Sequence, residues 1–178
     1  MLKRYELRST RETHEGWAIF VLDTDRGFFS VVSDFGNYAY LWSSTGCEFR
    51  KFLIECDADY LHGKLMMGRP DREVFDGHET KKCILETLEE HNKGYLDDET
   101  GEGGWEHYAS EMNLLEEWAP SDRFDDERAF EEWVGATRLS DAYECARHIP
   151  KPQSWQFCTK VMPRFKAMLK AELEAETP

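Results

Sequence analysis

From Trp17 to Ser43 the chain alternates in a way that fits strands. Trp17, Ile19 and Val21 interleave with Ala18, Phe20 and Leu22, and Phe28 to Ser33 continues in β-branched and aromatic residues. Two breaks in the alternation have turn chemistry. Asp23-Thr24-Asp25-Arg26-Gly27 has hairpin length, and Asp34-Phe35-Gly36-Asn37 contains a Gly-Asn pair suited to the positive φ of a tight turn. The pattern predicts an antiparallel meander of three strands, four if Lys3 to Ser9 pairs at an edge.

After Ser43 the period changes from 2 to 3.6. Thr45 and Glu48 have the spacing of a capping box, which predicts a helix starting there, with Phe49, Phe52, Leu53, Cys56 and Tyr60 on one apolar stripe. Gly68-Arg69-Pro70 ends it. A second helix is predicted from about His78 to Asn92, with Ile84, Leu85 and Leu88 inward and Gly94 as its C-terminal cap. Trp105, Tyr108, Met112, Leu115 and Trp118 keep helical spacing before Pro120, and Phe130, Trp133 and Val134 mark another helix. After Pro150-Lys151-Pro152, a last helix carries Cys158, Val161, Met162, Phe165 and Leu169 inward, with Pro163 predicting a kink or a late start. Strands first and helices later give an α+β class: an N-terminal antiparallel β-meander packed by a helix, followed by an acidic helical half. The expected organisation is a single domain over 1–178, divisible into 1–70 (meander plus first helix) and 71–178 (helical part).

Composition adds a charge constraint. The 178 residues hold 36 Asp and Glu against 22 Lys and Arg, a formal charge of -14. Gripping phosphate requires basic surface, so direct nucleic-acid binding is disfavoured. The charge is also localised: Glu86 to Glu132 holds 17 acids and only Lys93, Arg123 and Arg128. No apolar run has the length of a bilayer span and the N-terminus lacks a signal-peptide core, so no membrane partner is expected and the host cytoplasm is the expected location. Five scattered cysteines form no disulfide framework and read as small core thiols.

Candidate chemistry is sparse. Cys145-x-x-His148 with Cys158 is the nearest approach to a zinc spacing, but a second close pair is missing, so neither a metal nor a cofactor is expected. No nucleophile elbow or Gly-rich phosphate loop occurs, and no catalytic residue is assigned. Tyr38, Tyr40 and Trp42 alternate along one strand; exposed, they would stack unpaired bases, whereas a meander needs just such a face for its core. The acidic pairs remain: Asp97, Asp98, Glu99 and Glu102, Glu116 and Glu117, Asp125, Asp126 and Glu127, Glu131 and Glu132. A solvated surface accounts for them, as does a Mg²⁺ site in an enzyme of nucleotide or DNA metabolism. They also fit a partner-binding face that imitates the phosphate rail of DNA. B-DNA carries about one charge per 1.7 Å and a helix rises about 1.5 Å per residue, so acids at one position in three reach that density in part.

The run SDFGNYAYLWSSTGCEFRKFLIECDADYLHGKL (Ser33 to Leu65) resembles a family of small proteins encoded in tailed-bacteriophage genomes. The shared features are Asp34-Phe35-Gly36, the Tyr38 to Trp42 strand, the small-residue turn Ser43 to Gly46, Phe49 with Phe52-Leu53, and Asp57, Asp59, Tyr60 and Lys64. The resemblance implies a viral origin and an accessory role, with no catalytic residues to carry over. With the acidic block, it leads to the expectation of a non-enzymatic inhibitor of a host or defence protein, of the anti-restriction or anti-CRISPR type. The expected partner is a bacterial protein with a basic nucleic-acid-binding groove. The alternatives are the Mg-dependent enzyme and a single-stranded nucleic-acid-binding domain built on the aromatic strand.

Overall fold

In a computed structural model, which describes residues 1–9, 16–96 and 104–176, the alternating segments form an antiparallel sheet in the order β1 (Leu2–Leu7), β2 (Ala18–Asp23), β3 (Phe28–Ser33), β4 (Gly36–Leu41). Leu22 lies opposite Phe29, and Phe20 opposite Val31, which lies opposite Tyr38. All five are buried on one face. The β2–β3 turn is held by Asp23 Oδ1, which accepts the N–H groups of Asp25 (3.2 Å) and Arg26 (3.3 Å). Gly27 ends it at φ 69°, where a Cβ would sit 2.3 Å from the Trp42 carbonyl oxygen, so a side chain is excluded both by conformation and by space. In the β3–β4 turn the positive φ falls on Gly36 alone, and Asn37 pairs with Val32 inside the ladder.

Two helices stand where the apolar stripe predicts one: α1 (Phe49–Glu55) and α2 (Ala58–Leu65). Cys56 is extended and Asp57 caps α2, its carboxylate accepting the Tyr60 N–H at 2.7 Å. A strong N-cap residue inside the stripe restarts the helix without interrupting the spacing of its apolar positions. The start of α1 also differs from expectation. Glu48 is the cap, accepting the Lys51 N–H at 3.1 Å, while Thr45 Oγ1 donates to the Cys47 carbonyl. Tyr60 is 38% exposed and does not enter the core; its hydroxyl accepts the Trp42 indole N–H at 3.0 Å.

The chain resolves into two compact units, Met1–Arg72 with Pro150–Pro178, and Glu73–Ile149. The C-terminal segment therefore belongs with the sheet. It comprises α6 (Pro152–Gln156), a widened π turn (Phe157–Val161) and α7 (Met162–Glu176). The π turn ends two residues before Pro163, whose ring would crowd the carbonyl four residues back in a regular helix. Phe165 stacks on Phe20 with ring centroids 3.9 Å apart and planes 4° apart, and Phe157, Val161 and Leu169 are buried beside it. Polar contacts fix the far end of α7. Arg50, buried on α1, donates to both carboxylate oxygens of Glu176 (2.9 and 2.7 Å) and to Glu48 (2.7 Å). Tyr5 Oη donates to Glu172 at 2.6 Å.

The second unit contains β5 (Glu73–Phe75), α3 (Gly77–Leu96), α4 (Gly104–Trp118), α5 (Glu127–Ala136), a 3₁₀ turn (Ala142–Cys145) and β6 (His148–Pro150), with β5 and β6 paired. Its core is Ile84, Leu88, Leu115, Phe124, Phe130 and Trp133 with smaller residues around them. α3 runs through Gly94 to Leu96 instead of ending before it. Glycine stops a helix only where the backbone turns left-handed, and here it stays helical. At the other end Asp76 Oδ1 accepts the N–H groups of His78 and Glu79 (3.1 Å each), and a Cβ on Gly77 would lie 2.2 Å from the Phe124 carbonyl oxygen. Lys81, a buried cation on α3, spends its ammonium on Glu116 Oε1 (2.8 Å) and on the carbonyls of Ala119 (2.7 Å) and Ser121 (2.8 Å), closing the C-terminus of α4.

Three stability measurements check this packing. Phe165→Ala should cost about 3–5 kcal/mol in urea unfolding, because it removes a ring buried on every side. Lys81→Met strands the buried Ala119 carbonyl and should cost about 2 kcal/mol. Hydrogen bonds from Arg50, and after it Lys3, hold the Glu176 carboxyl down to about 2. That stabilisation is present above the ordinary carboxylate range and is lost as pH falls toward 2. Melting temperature should fall across this acid window in the native protein, and less steeply in Arg50→Met.

Candidate functional site

Charge divides along the same boundary as the two units. Glu73–Ile149 carries 22 Asp and Glu against 7 Lys and Arg, and the remaining residues carry 14 against 15. The acidic character thus belongs to one folded unit, wider than the Glu86 to Glu132 block that sequence defines, and its counterpart is close to neutral.

Within the acidic unit the apolar stripe of each helix decides where the carboxylates go. On α5, Phe130 and Trp133 are buried, which leaves Glu127, Glu131 and Glu132 exposed. Leu115 on α4 and Ala119 just past its end are buried, and Glu116 and Glu117 are exposed beside them. Asp125 and Asp126 sit in the loop between these helices. Asp126 caps α5 by accepting the Ala129 N–H at 2.8 Å.

Several of the carboxylates are engaged locally. Glu116 meets Lys81, Glu132 meets Arg128 at 2.9 Å one turn away, and Glu127 meets His148 Nε2 at 3.0 Å. Among the described residues Glu117, Asp125 and Glu131 form no ion pair. Asp97, Asp98, Glu99 and Glu102 lie outside the described residues.

A cleft of about 350 Å³ between the start of α3 and the α4–α5 loop gathers Asp125, Asp126 and Glu127 with His78 and Arg123. Glu116, Glu117, Glu131 and Glu132 stand on helices away from it. Among the described residues no three His, Cys, Asp or Glu come together as a metal site. Of the acids of the cleft, Asp76 and Asp126 are used by helix N-termini and Glu127 by His148, and Asp125 alone is left unengaged, which gives the Mg²⁺ alternative no convergent set of ligands among the described residues.

The other candidates are core residues. Tyr38 and Trp42 are buried at 5% and 6% exposure, and Tyr40 is half-buried, packed edge-on against Trp42. The aromatic strand is the inner face of the sheet and offers no stacking platform, which corrects the single-stranded nucleic-acid reading. Cys145 lies in the core of the acidic unit and Cys158 in that of the other, and burial pushes their thiols up to about 11 and about 12.

Sequence reasoning passed over Lys81 as the partner of Glu116, and met His148 only in the Cys145-x-x-His148 spacing, not as the partner of Glu127. Lys81 falls on the inward side of a helix whose outward side is equally polar, and His148 is distant in the chain from its partner, so neither gives a local signal.

Among the described residues no helix is long and apolar enough to cross a membrane. No curated protein and no solved structure matches the chain. A family model described as a phage family matches residues 2–171, spanning both units. The chain, a near-neutral sheet-and-helix unit joined to an acidic helical one, belongs to that phage family.

Proposed function

We propose that this phage protein is a non-enzymatic inhibitor that acts in the host cytoplasm by binding a bacterial protein, of the anti-restriction or anti-CRISPR type. The Glu73–Ile149 unit is the contact surface and a basic nucleic-acid-binding groove is its target. The observation that carries this reading is the segregation of charge: 22 acids against 7 bases in one unit and 14 against 15 in the other. Solubility alone calls for dispersed charge and gains nothing from such a division. An acidic unit with its own aromatic core presents carboxylates from fixed helices, so a groove built for phosphates meets negative charge without the ordering cost of a flexible tail.

The members of that surface are Glu116, Glu117, Asp125, Asp126, Glu127, Glu131 and Glu132, together with Asp97, Asp98, Glu99 and Glu102. Glu117, Asp125 and Glu131 are the best probes, since they are exposed and neither cap a helix nor pair with a described cation. Replacing all three with Lys should leave the fold intact by circular dichroism and reduce capture of the partner from host lysate by roughly tenfold or more, as reversal of interfacial charges does. Lys51→Glu with Lys170→Glu, exposed positions on the near-neutral unit, should leave capture unchanged. Undiminished capture by a folded triple variant would overturn the proposal.

A further inference from the structure

One cluster in the acidic unit contributes nothing to its carboxylate face. Cys83 is half-buried on α3. Thr87, one turn further along, donates its hydroxyl to the Cys83 carbonyl at 2.9 Å and lies 3.7 Å from Cys145 Sγ. Residues four apart share a helix face, so Cys145 on the 3₁₀ turn comes down on the patch of α3 that Cys83 occupies.

Arg147 completes the cluster. Its N–H donates to Thr80 Oγ1 at 2.9 Å, and its Nη1 donates to the carbonyls of Glu144 (2.7 Å) and Ala146 (3.1 Å). The guanidinium held in this way donates from Nη2 to Cys83 Sγ at 2.8 Å. A core thiol needs no cation. A reacting thiol does, because negative charge develops on its sulfur.

We infer that Cys83 and Cys145 are a peroxide-sensitive dithiol pair, with Cys83 the reacting sulfur, Cys145 the resolving one and Arg147 the positioning residue. The Cys83 sulfur attacks one oxygen of hydrogen peroxide as its thiol gives up its proton; the S–O bond forms as the O–O bond breaks, and the departing hydroxide takes that proton and leaves as water. Cys145 sulfur then attacks Cys83 sulfur; the S–S bond forms, the S–O bond breaks, and the hydroxide leaves as water with the Cys145 proton. Two thiols and one peroxide give one disulfide and two waters, the sulfur pair losing two electrons.

Accessibility sorts the roles. Cys83 is half-buried beside an exposed Arg147, whereas Cys145 is 4% exposed. The bond would close the chain between residues 83 and 145, a span that contains all of Glu86 to Glu132. It would thus staple the acidic segment while leaving its carboxylates unoccupied. The inference does not depend on the inhibitor reading.

The test uses the full chain, reduced, treated with one equivalent of hydrogen peroxide, alkylated and digested with trypsin without reduction. The expected product is the Cys83–Lys93 peptide joined to Leu139–Arg147, two hydrogens lighter than the sum and separated again by a thiol reductant. In Cys145→Ser, Cys83 should stop at the sulfenic acid and be trapped by a cyclic diketone, an adduct the native protein does not accumulate. Arg147→Gln keeps the backbone contact to Thr80 and should slow the reaction of Cys83 by about tenfold. The inference is overturned if Cys83 stays fully alkylated while other thiols oxidise, if the linked peptides join other cysteines, or if Arg147→Gln reacts at the native rate.

Discussion

The stacking of Phe165 on Phe20 is the contact on which the fold depends. A four-stranded meander with one apolar face is not stable uncovered, and α1, seven residues long, is too short to cover it. The cover comes from the other end of the chain, as α7 lays Phe165 and Leu169 over Phe20 and Phe29. Everything between Arg72 and Pro150 must therefore leave this unit and return to it. The two ends are held together, with the Lys151 N–H on the Arg72 carbonyl at 3.0 Å and Lys151 Nζ on Asp71 at 2.5 Å.

An inserted unit with its own core allows charge to be partitioned. In the near-neutral unit the carboxylates of Glu48, Glu172 and Glu176 are consumed by Arg50, Lys3 and Tyr5, and they lock the C-terminal helix in place. In the acidic unit the aromatic residues Phe124, Phe130 and Trp133 pack edge and face against one another, and this supplies the cohesion that self-repulsion opposes. These aromatics are the core of the unit, and its surface is left to acids. Lys81 is turned inward, so its charge at the end of α4 is spent on backbone carbonyls as much as on Glu116.

The sheet was legible because each strand buries one face, which writes a period of two into the sequence, and because Asp23, Gly27 and Gly36 have turn chemistry that few residues share. The last helix was legible from Cys158 to Leu169 for the corresponding reason. What sequence concealed were competitions between equally good local signals. Thr45 and Glu48 both cap helices, and the backbone chose the one adjacent to Phe49. Asp57 restarts a helix inside an unbroken apolar stripe. The return of Pro150–Pro178 to the sheet, and the approach of Cys145 to Thr87 on α3, are long-range pairings with no local trace. The acidic face was visible in composition, but the division between engaged carboxylates and Glu117, Asp125 and Glu131 depends on where Lys81, Arg128 and His148 fall in space.

The central claim is that the acidic unit does the binding, through charge and in place of nucleic acid. The most direct measurement is the affinity of the captured host protein for this chain between about 50 and 200 mM salt, with and without duplex DNA as competitor. The account predicts affinity that falls steeply across that range and displacement by DNA. Affinity indifferent to both salt and DNA would contradict it.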